Sequence, residues 1–278
     1  INPKKDNGYI EYDYLCATSL TYFFLEMLVN NIRCKINLRK YLIYVLLATV
    51  CDVMPLRKLN RLIAIIALKE FDINKNFAFK ELYRLNKRNN KINIDDLGFL
   101  IGPILNSGGR LGKSFYAVDL LSSENNKNIT QRSLDLIKLN EKRKKIEYST
   151  LKSIDFDKIE KDNKKIVFYY EPNINEGLLG IIAARLKDHF NKPSIVITKS
   201  HNLLKSSARS THNYNIGRAI KKSLDLNIIL NGGGHSMAAG FTLKKSNLSI
   251  FKDFILKDFS KSNKSLDPTL EYTSQVSS

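Results

Sequence analysis

The sequence predicts an α/β protein with a mostly helical N-terminal half and a smaller α/β C-terminal half, joined by one long charged helix. Bulky apolar residues recur at three-to-four spacing before about residue 126, as in packed helices. Residues 130–152 combine many charges with a few apolar positions. Beyond them, strand-like and helix-like segments alternate, which predicts an α/β layer with at least one parallel strand pair.

The N-terminal half predicts three helices, over 15–32, 38–51 and 57–70. The first contains no Gly or Pro and carries bulky apolar residues at three-to-four spacing, so we expect it to be buried. Pro55 separates the other two, because a proline disfavours helical backbone at the residue before it. Residues 94–112, "IDDLGFLIGPILNSGGRLG", predict a short helix that runs into a glycine-rich turn.

Residues 130–152 predict a long, mostly solvated helix of the kind that bridges domains. In the C-terminal half, "GLLGIIAARLKDHF" (177–190) predicts a helix. Short apolar runs predict strands at 165–170, 193–198, 203–210, 228–231 and 240–243.

These patterns divide the chain into four parts. They are a mostly helical domain over 1–126, a linker helix over 127–155, an α/β domain over 156–265 and the start of a following domain over 266–278. Because the sequence begins with Ile1 and not methionine, and lacks the apolar core of a secretory signal, we expect a fragment of a larger protein.

Composition favours an anionic partner. A formal net charge of +18 raises the local concentration of polyanions and favours nucleic acid, although solvated surface lysines would give the same total. No apolar run approaches the roughly 20 residues of a membrane span, so we expect no membrane partner. Cys16, Cys34 and Cys51 lack C-x-x-C spacing, which argues against a zinc site or disulfide framework and fits the reducing cytoplasm.

The segment "NGGGHSMAAG" (231–240) carries four of the 13 glycines. Glycine costs roughly 0.5–1 kcal/mol relative to alanine inside a regular element, so a cluster answers a geometric demand. The residues alone leave two interpretations open. One is a tight turn, and the other is a concave row of backbone N–H groups that binds an anion beside His235.

Five motifs resemble one family. "NGGGHSMAAG" looks like the signature of the DHH-associated domain, which accompanies DHH phosphoesterases. Four further segments resemble elements of the RecJ-like single-strand-specific exonucleases: "LATVCDVMPL" (47–56), "LIGPILNSGGRLG" (100–112), "NEGLLGIIAARL" (175–186) and "SSARS" (206–210). The five occur in the family's order. The resemblance implies the C-terminal part of a DHH phosphoesterase domain, a linker helix and a DHH-associated α/β domain.

It also implies a 5′-to-3′ single-stranded-DNA exonuclease of repair and recombination that uses two Mn²⁺ or Mg²⁺ ions on clustered carboxylates. The family's D-x-D and D-H-H motifs have no counterpart at matching positions, and "DFD" at 155–157 predicts an exposed linker instead. Only Asp52 matches a metal ligand, and we assign it a catalytic role. Its place after an apolar segment makes an unpaired carboxylate costly, but a helix-to-loop cap is the alternative. We therefore expect the fragment to be inactive.

The resemblance assigns substrate contacts as well. His235 would donate to a phosphate oxygen as charge develops during cleavage and would face Asp52, while Asn106 and Arg110 would reach the same cleft. Asn106 and Arg110 also fit a plain surface turn. The residues assigned to phosphate binding are Arg209, Ser210, Gly232, Gly233, Gly234 and His235.

Two other functions stay open at this point. One is a DHH phosphoesterase for short oligonucleotides or nucleotide phosphates, and the other is a catalytically dead nucleic-acid-binding module. The family resemblance further implies a cytoplasmic monomer that acts on single-stranded DNA, with single-strand-binding protein or a helicase as partner. The chain departs from the family at Ile174 and Asn175, where Trp-His is usual, which puts any role of that histidine in doubt.

Overall fold

The computed structural model describes residues 12–33, 35–123, 126–162 and 164–262. The chain divides into two compact units, Ile1–Glu141 and Lys142–Ser278, and the division falls inside the long helix. The expected further domain at 266–278 lies outside the described residues, and so does Cys34. No helix within the described ranges is both long and apolar enough to cross a bilayer.

The first unit is helical. Its core is formed by fully buried side chains that include Leu46, Phe79 and Leu97. The helices predicted over 15–32, 38–51 and 57–70 are confirmed. The elements are α1 (Ala17–Asn31), α2 (Leu42–Cys51), α3 (Lys58–Glu70), α4 (Phe77–Leu85), α5 (Gly102–Arg110), α6 (Phe115–Ser122) and the start of α7 (Asn126–Lys152).

The expectation that α1 is buried was wrong. Only Ser19 and Tyr22 are buried in this helix, whereas Phe24 and Met27 are 43% and 55% exposed. A helix with this many apolar residues and the single charge of Glu26 is normally buried over much of its surface, but in the described part of the chain α1 packs mainly against α2. The apolar content of a segment can be read from its sequence, but its burial depends on which elements pack against it.

The predicted glycine-rich turn begins later than expected, because residues 106–110 are helical and the turn forms at residues 111–112, where Gly112 has φ +78°. A π-helical segment, Asp96–Ile101, continues directly into α5, which contains the whole of "NSGGR". Gly102 and Gly108 are small for packing reasons. A Cβ at Gly108 would lie 2.6 Å from the carbonyl oxygen of Lys113, and one at Gly102 would lie 2.5 Å from the sulfur of Cys51.

The long charged helix is confirmed as α7, and it is anchored at both ends. Ile129 and Leu136 belong to the core of the first unit. In the second unit, the buried Glu147 carboxylate accepts hydrogen bonds from Arg143 and Arg185, each at 3.0 Å. The carboxylate therefore fixes the C-terminal part of α7 onto α9.

The second unit is a five-stranded sheet between helices, in the order β1-β2-β3-β5-β4. The β1–β2 pair is parallel, as predicted, and the other pairs are antiparallel. Helix α9 packs on one face, and α10 and α11 pack on the other. The strands are β1 (Val167–Tyr170), β2 (Ser194–Ser200), β3 (Leu203–Arg209), β4 (Asn231–His235) and β5 (Ala238–Leu243), and the helices are α8 (Phe156–Lys161), α9 (Leu179–Phe190), α10 (Ile216–Asp225) and α11 (Leu248–Ser260).

The strand predicted over 228–231 was placed too early. Residues 228–230 form a bend after α10, with Ile229 buried in the core, and the strand begins at Asn231 and continues through the glycines. The strand was predicted at the apolar run because Ile is enriched in strands and Gly is depleted. Pairing with β5 overrides that preference at the edge of the sheet.

The acidic pair at 155–157 is exposed, as predicted. Asp155 accepts a hydrogen bond from the backbone N–H of Lys158 at 2.9 Å and so caps the N-terminus of α8, and Asp157 lies on the surface in the first turn. Both acids are accounted for by ordinary helix capping and dipole effects.

Candidate functional site

The glycine cluster is an edge strand, so both sequence interpretations of residues 232–235 were wrong. Successive N–H groups of a strand point to opposite edges and cannot converge on one anion. None of the three glycines has a positive φ, and the turn follows the strand, at Ser236 and Met237. His235 is the last strand residue and is exposed.

Strand alternation gives the glycines two different purposes. Gly232 faces α10, where an added Cβ would lie 2.8 Å from the Cβ of Phe241 and 3.0 Å from Ile220. Gly234 shares this face and would collide with the Ala239 backbone. Gly233 points the other way, toward the face that carries α9, and a Cβ there would meet nothing within 4 Å. Gly232 and Gly234 therefore allow close packing on the α10 face. Gly233 leaves the opposite side of β4 without a side chain, and we call this uncovered part of the sheet the bare face.

The structure brings Arg209 and His235 onto this bare face. Register pairs Arg209 with Ala238 and Ala238 with His235, so the three residues form one row across β3, β5 and β4. With neighbouring strands about 5 Å apart, the two outer Cα atoms are separated by about 10 Å. The next row consists of Ser207, Gly240 and Gly233, which we call the glycine platform.

Arg209 is a half-buried cation. Its guanidinium donates hydrogen bonds to the Ala208 carbonyl at 2.9 Å and to Ser207 Oγ at 3.3 Å. It lies against Gly180 of α9, where an added Cβ would be 2.7 Å from Nη2. Burial lowers the pKa of the guanidinium, and no carboxylate in the described part of the chain offsets the loss of hydration. A phosphate would supply the missing negative charge in bidentate geometry.

Ser210 does not fit the direct phosphate contact that was predicted. It is 1% exposed, and its hydroxyl donates a hydrogen bond to the Tyr214 carbonyl oxygen at 2.7 Å. Its backbone N–H donates to the Met237 carbonyl at 2.9 Å. Ser210 therefore closes a turn next to Arg209. Sequence reasoning could not distinguish a buried hydroxyl from an exposed one in "SSARS".

Asp52, in the first unit, is exposed, so the expected cost of a buried carboxylate does not apply. It occupies the C-cap of α2, which agrees in position with the cap interpretation. A carboxylate there lies at the negative end of the helix dipole and is destabilising unless a cation neutralises it. This environment fits a hard divalent cation, for which carboxylate oxygen is a preferred ligand.

The residue after Asp52 is strained. Val53 has φ +52° and is 88% exposed. Its N–H bonds to the Val50 carbonyl at 3.1 Å, and the Met54 N–H bonds to the Thr49 carbonyl at 2.9 Å. These are the two bonds of a Schellman motif, in which the left-handed position is usually glycine. A β-branched residue there is uncommon and costs free energy. No sequence signal pointed to it.

Asn106 and Arg110 lie one helical turn apart on α5. With Gly102 they occupy positions i, i+4 and i+8, which share one side of a helix. Gly102 lies against Cys51, the residue before Asp52, so this side of α5 begins at the end of α2. Asn106 is exposed and Arg110 is partly buried.

The described residues contain no cluster of three or more His, Cys, Asp or Glu side chains that could hold a metal ion. Two metal ions need more carboxylates than Asp52 alone. Within these ranges, Asp52 can therefore supply at most one ligand of such a site.

Comparison with known proteins places residues 162–261 in the DHHA1 domain family. The single-stranded-DNA-specific exonuclease RecJ of Haemophilus influenzae is 31% identical over 239 residues, covering 82% of this chain and 42% of that protein. RecJ of Bacillus subtilis is 31% identical over 206 residues, covering 73% of this chain and 26% of that protein.

The fold is also similar to solved structures. RecJ from Thermus thermophilus in complex with Mn²⁺ superposes with a TM-score of 0.81 at 20% identity, covering 93% of this chain and 38% of that one. An exonuclease RecJ bound to manganese gives 0.71 at 21% identity, covering 89% and 61%. These matches confirm the predicted fold class and the resemblance to RecJ-like proteins. The chain spans less than half the length of both curated relatives.

Replacing Val53 by glycine should stabilise the first unit. We expect Val53→Gly to raise the free energy of unfolding by about 0.5–1 kcal/mol, because relief of left-handed strain exceeds the extra chain entropy of glycine. Urea denaturation followed by circular dichroism measures it. Val118→Gly, at an exposed position inside α6, is the matched control and should lose about 1 kcal/mol. Equal losses in both variants would contradict a strained Val53.

Alanine substitutions at two adjacent glycines of β4 should affect different properties, stability in one variant and ligand binding in the other. Gly234→Ala forces a Cβ into the Ala239 backbone and should lower stability by about 1–3 kcal/mol. Gly233→Ala adds a methyl group to the bare face, so it should fold normally but bind a 5′-phosphorylated DNA strand about tenfold more weakly. Thermal melts and fluorescence anisotropy separate the two. Unchanged DNA binding by Gly233→Ala would show that no ligand approaches this face.

Proposed function

We propose that this chain, with its DHHA1 domain and its similarity to RecJ proteins, is part of a metal-dependent 5′-to-3′ single-stranded-DNA exonuclease. The enzyme would hydrolyse phosphodiester bonds in DNA repair and recombination. The curated relatives are named as single-stranded-DNA-specific exonucleases, which supports the substrate class. The relatives solved with Mn²⁺ or Mg²⁺ support a divalent cofactor.

The observation that carries the proposal is the charge of Arg209 beside the glycine platform, which no carboxylate among the described residues neutralises. A half-buried guanidinium without a carboxylate is costly in the free protein, and a phosphate group removes that cost. Gly233 and Gly240 present bare backbone on the same face, so a sugar-phosphate chain can approach to contact distance. His235 borders this surface on the side opposite Arg209.

Each residue then has a distinct role. Arg209 binds a phosphate of the strand, and His235 donates a hydrogen bond to a phosphate oxygen as negative charge develops during cleavage. Asp52 provides a carboxylate ligand for one of two Mn²⁺ or Mg²⁺ ions, which when bound polarise the phosphate and activate water. Asn106 and Arg110 contact the strand from the first unit.

The remaining parts of the proposal follow from the substrate. A chain with a formal net charge of +18 suits association with a polyanion, and we propose a cytoplasmic enzyme that acts as a monomer. Single-strand-binding protein or a helicase would supply the unpaired strand on which it acts.

The chain should bind single-stranded DNA in a salt-dependent manner. The logarithm of the binding constant should fall with the logarithm of salt concentration by about 0.7 per phosphate neutralised. Arg209→Ala should remove about one such increment, whereas Arg218→Ala, on α10 behind the opposite face, should not. Anisotropy titrations with 5′-phosphorylated oligo(dT) of increasing length test this. Affinity that stops rising at two or three nucleotides would favour a phosphoesterase for short oligonucleotides.

The chain alone should show no nuclease activity when Mn²⁺ or Mg²⁺ is added, because its described residues lack a metal-binding cluster. Release of nucleotides from a 5′-labelled single strand is the measurement. The matched control is Asp52→Asn. Metal-stimulated release by the chain, lost in Asp52→Asn, would show that further carboxylates of this chain complete the metal site.

A further inference from the structure

We infer that Tyr214 is a positioning residue, which anchors the segment that fixes both Arg209 and the turn after His235. This inference rests on the proposed function, because it concerns the same bare face of the sheet. Residues 210–216 connect β3 to α10, and we call them the clasp.

The clasp holds the turn between β4 and β5 from outside the sheet. The Ser210 N–H donates to the Met237 carbonyl at 2.9 Å, and the Ile216 N–H donates to the Ser236 carbonyl at 3.1 Å. Ser236 and Met237 are the two turn residues that follow His235. Both of their carbonyl groups are thus bound by the two ends of one segment, so the position of His235 depends on the position of the clasp.

The clasp is closed by its own hydrogen bonds. Ser210 Oγ donates to the Tyr214 carbonyl at 2.7 Å, and the Tyr214 N–H donates to the Thr211 carbonyl at 3.2 Å. Ser210 directly follows Arg209, so the same closure fixes the end of β3. One compact segment therefore links the end of β3 at Arg209 to the turn that follows His235.

The side chain of Tyr214 attaches this turn to the helices behind the sheet. Tyr214 is 3% exposed, and its ring packs edge-on against Phe259 of α11 with centroids 4.9 Å apart. Its hydroxyl donates to Asp258 Oδ2 at 3.2 Å, and Lys222 of α10 pairs with Asp258 Oδ1 at 2.6 Å. Burial, then the Asp258 charge, raises the pKa of Tyr214, so the hydroxyl stays protonated and donates throughout the working pH range.

Removal of this one hydroxyl isolates the effect of the anchor. Tyr214→Phe keeps the ring against Phe259 and keeps the Asp258–Lys222 pair, but it removes the hydrogen bond between the clasp and Asp258 of α11. Neither Arg209 nor His235 is touched. Any change in ligand binding must then arise from their positions.

The experiment measures binding of 5′-phosphorylated oligo(dT) to the 278-residue chain by fluorescence anisotropy, with thermal melts of every variant. We expect Tyr214→Phe to weaken binding about fivefold at a temperature where the protein is fully folded, a size typical of coupled neighbours. Tyr169→Phe, on the distant strand β1, is the matched control and should bind normally.

A double-mutant cycle identifies the route of the effect. Because Tyr214 acts through Arg209 and His235, adding Tyr214→Phe to a chain that carries both Arg209→Ala and His235→Ala should cause no further loss of affinity. A further fivefold loss, or a Tyr214→Phe variant that binds like Tyr169→Phe, would overturn the inference. If Arg209→Ala and His235→Ala themselves leave binding unchanged, the proposed function fails instead, and the two failures are therefore distinguishable.

Discussion

The pairing of β4 with β5 determines the part of the candidate site that lies in the second unit. It turns a glycine cluster into an edge strand, and alternation then sends Gly232 and Gly234 to the packed face and Gly233 to the bare one. Because β5 also pairs with β3, the same register brings Arg209 into one row with His235. A shift by one residue would move His235 to the face of α10 and leave Arg209 alone.

Much of the fold could be predicted from the sequence, because periodic apolar segments report local structure directly. The errors occur where the structure or burial of a segment depends on the element that packs against it. Gly232–His235 form a strand only because β5 pairs with them. Helix α1 has an exposed apolar surface, and the sequence pattern does not show which element would cover it. Helix α10 was not predicted, although its apolar residues lie on one side of the helix, because its ten residues span fewer than three turns and give only a short periodic signal.

The candidate site was predicted by resemblance more than by chemistry. Arg209 and His235 do share a surface, but their contact with phosphate stays a prediction. Ser210 illustrates the limit. Its hydroxyl looks identical in sequence whether it binds a ligand or a carbonyl oxygen, and only burial shows that it binds the Tyr214 carbonyl.

Some charges of this chain are neutralised within the fold and others are not, and the second kind suits a site that binds ions. In the second unit Glu147 is buried, but Arg143 and Arg185 donate hydrogen bonds to its carboxylate, which offsets the free energy of removing the charge from water. Within the described ranges, Arg209 is half-buried without a neutralising carboxylate, and Asp52 lies at the negative end of α2 beside a strained Val53. A fold under selection for stability alone would relieve these three features. These features are understandable if phosphate neutralises Arg209 and a divalent cation neutralises Asp52 when they bind. The electrostatic cost of the two charges in the free protein then adds to the free energy of binding.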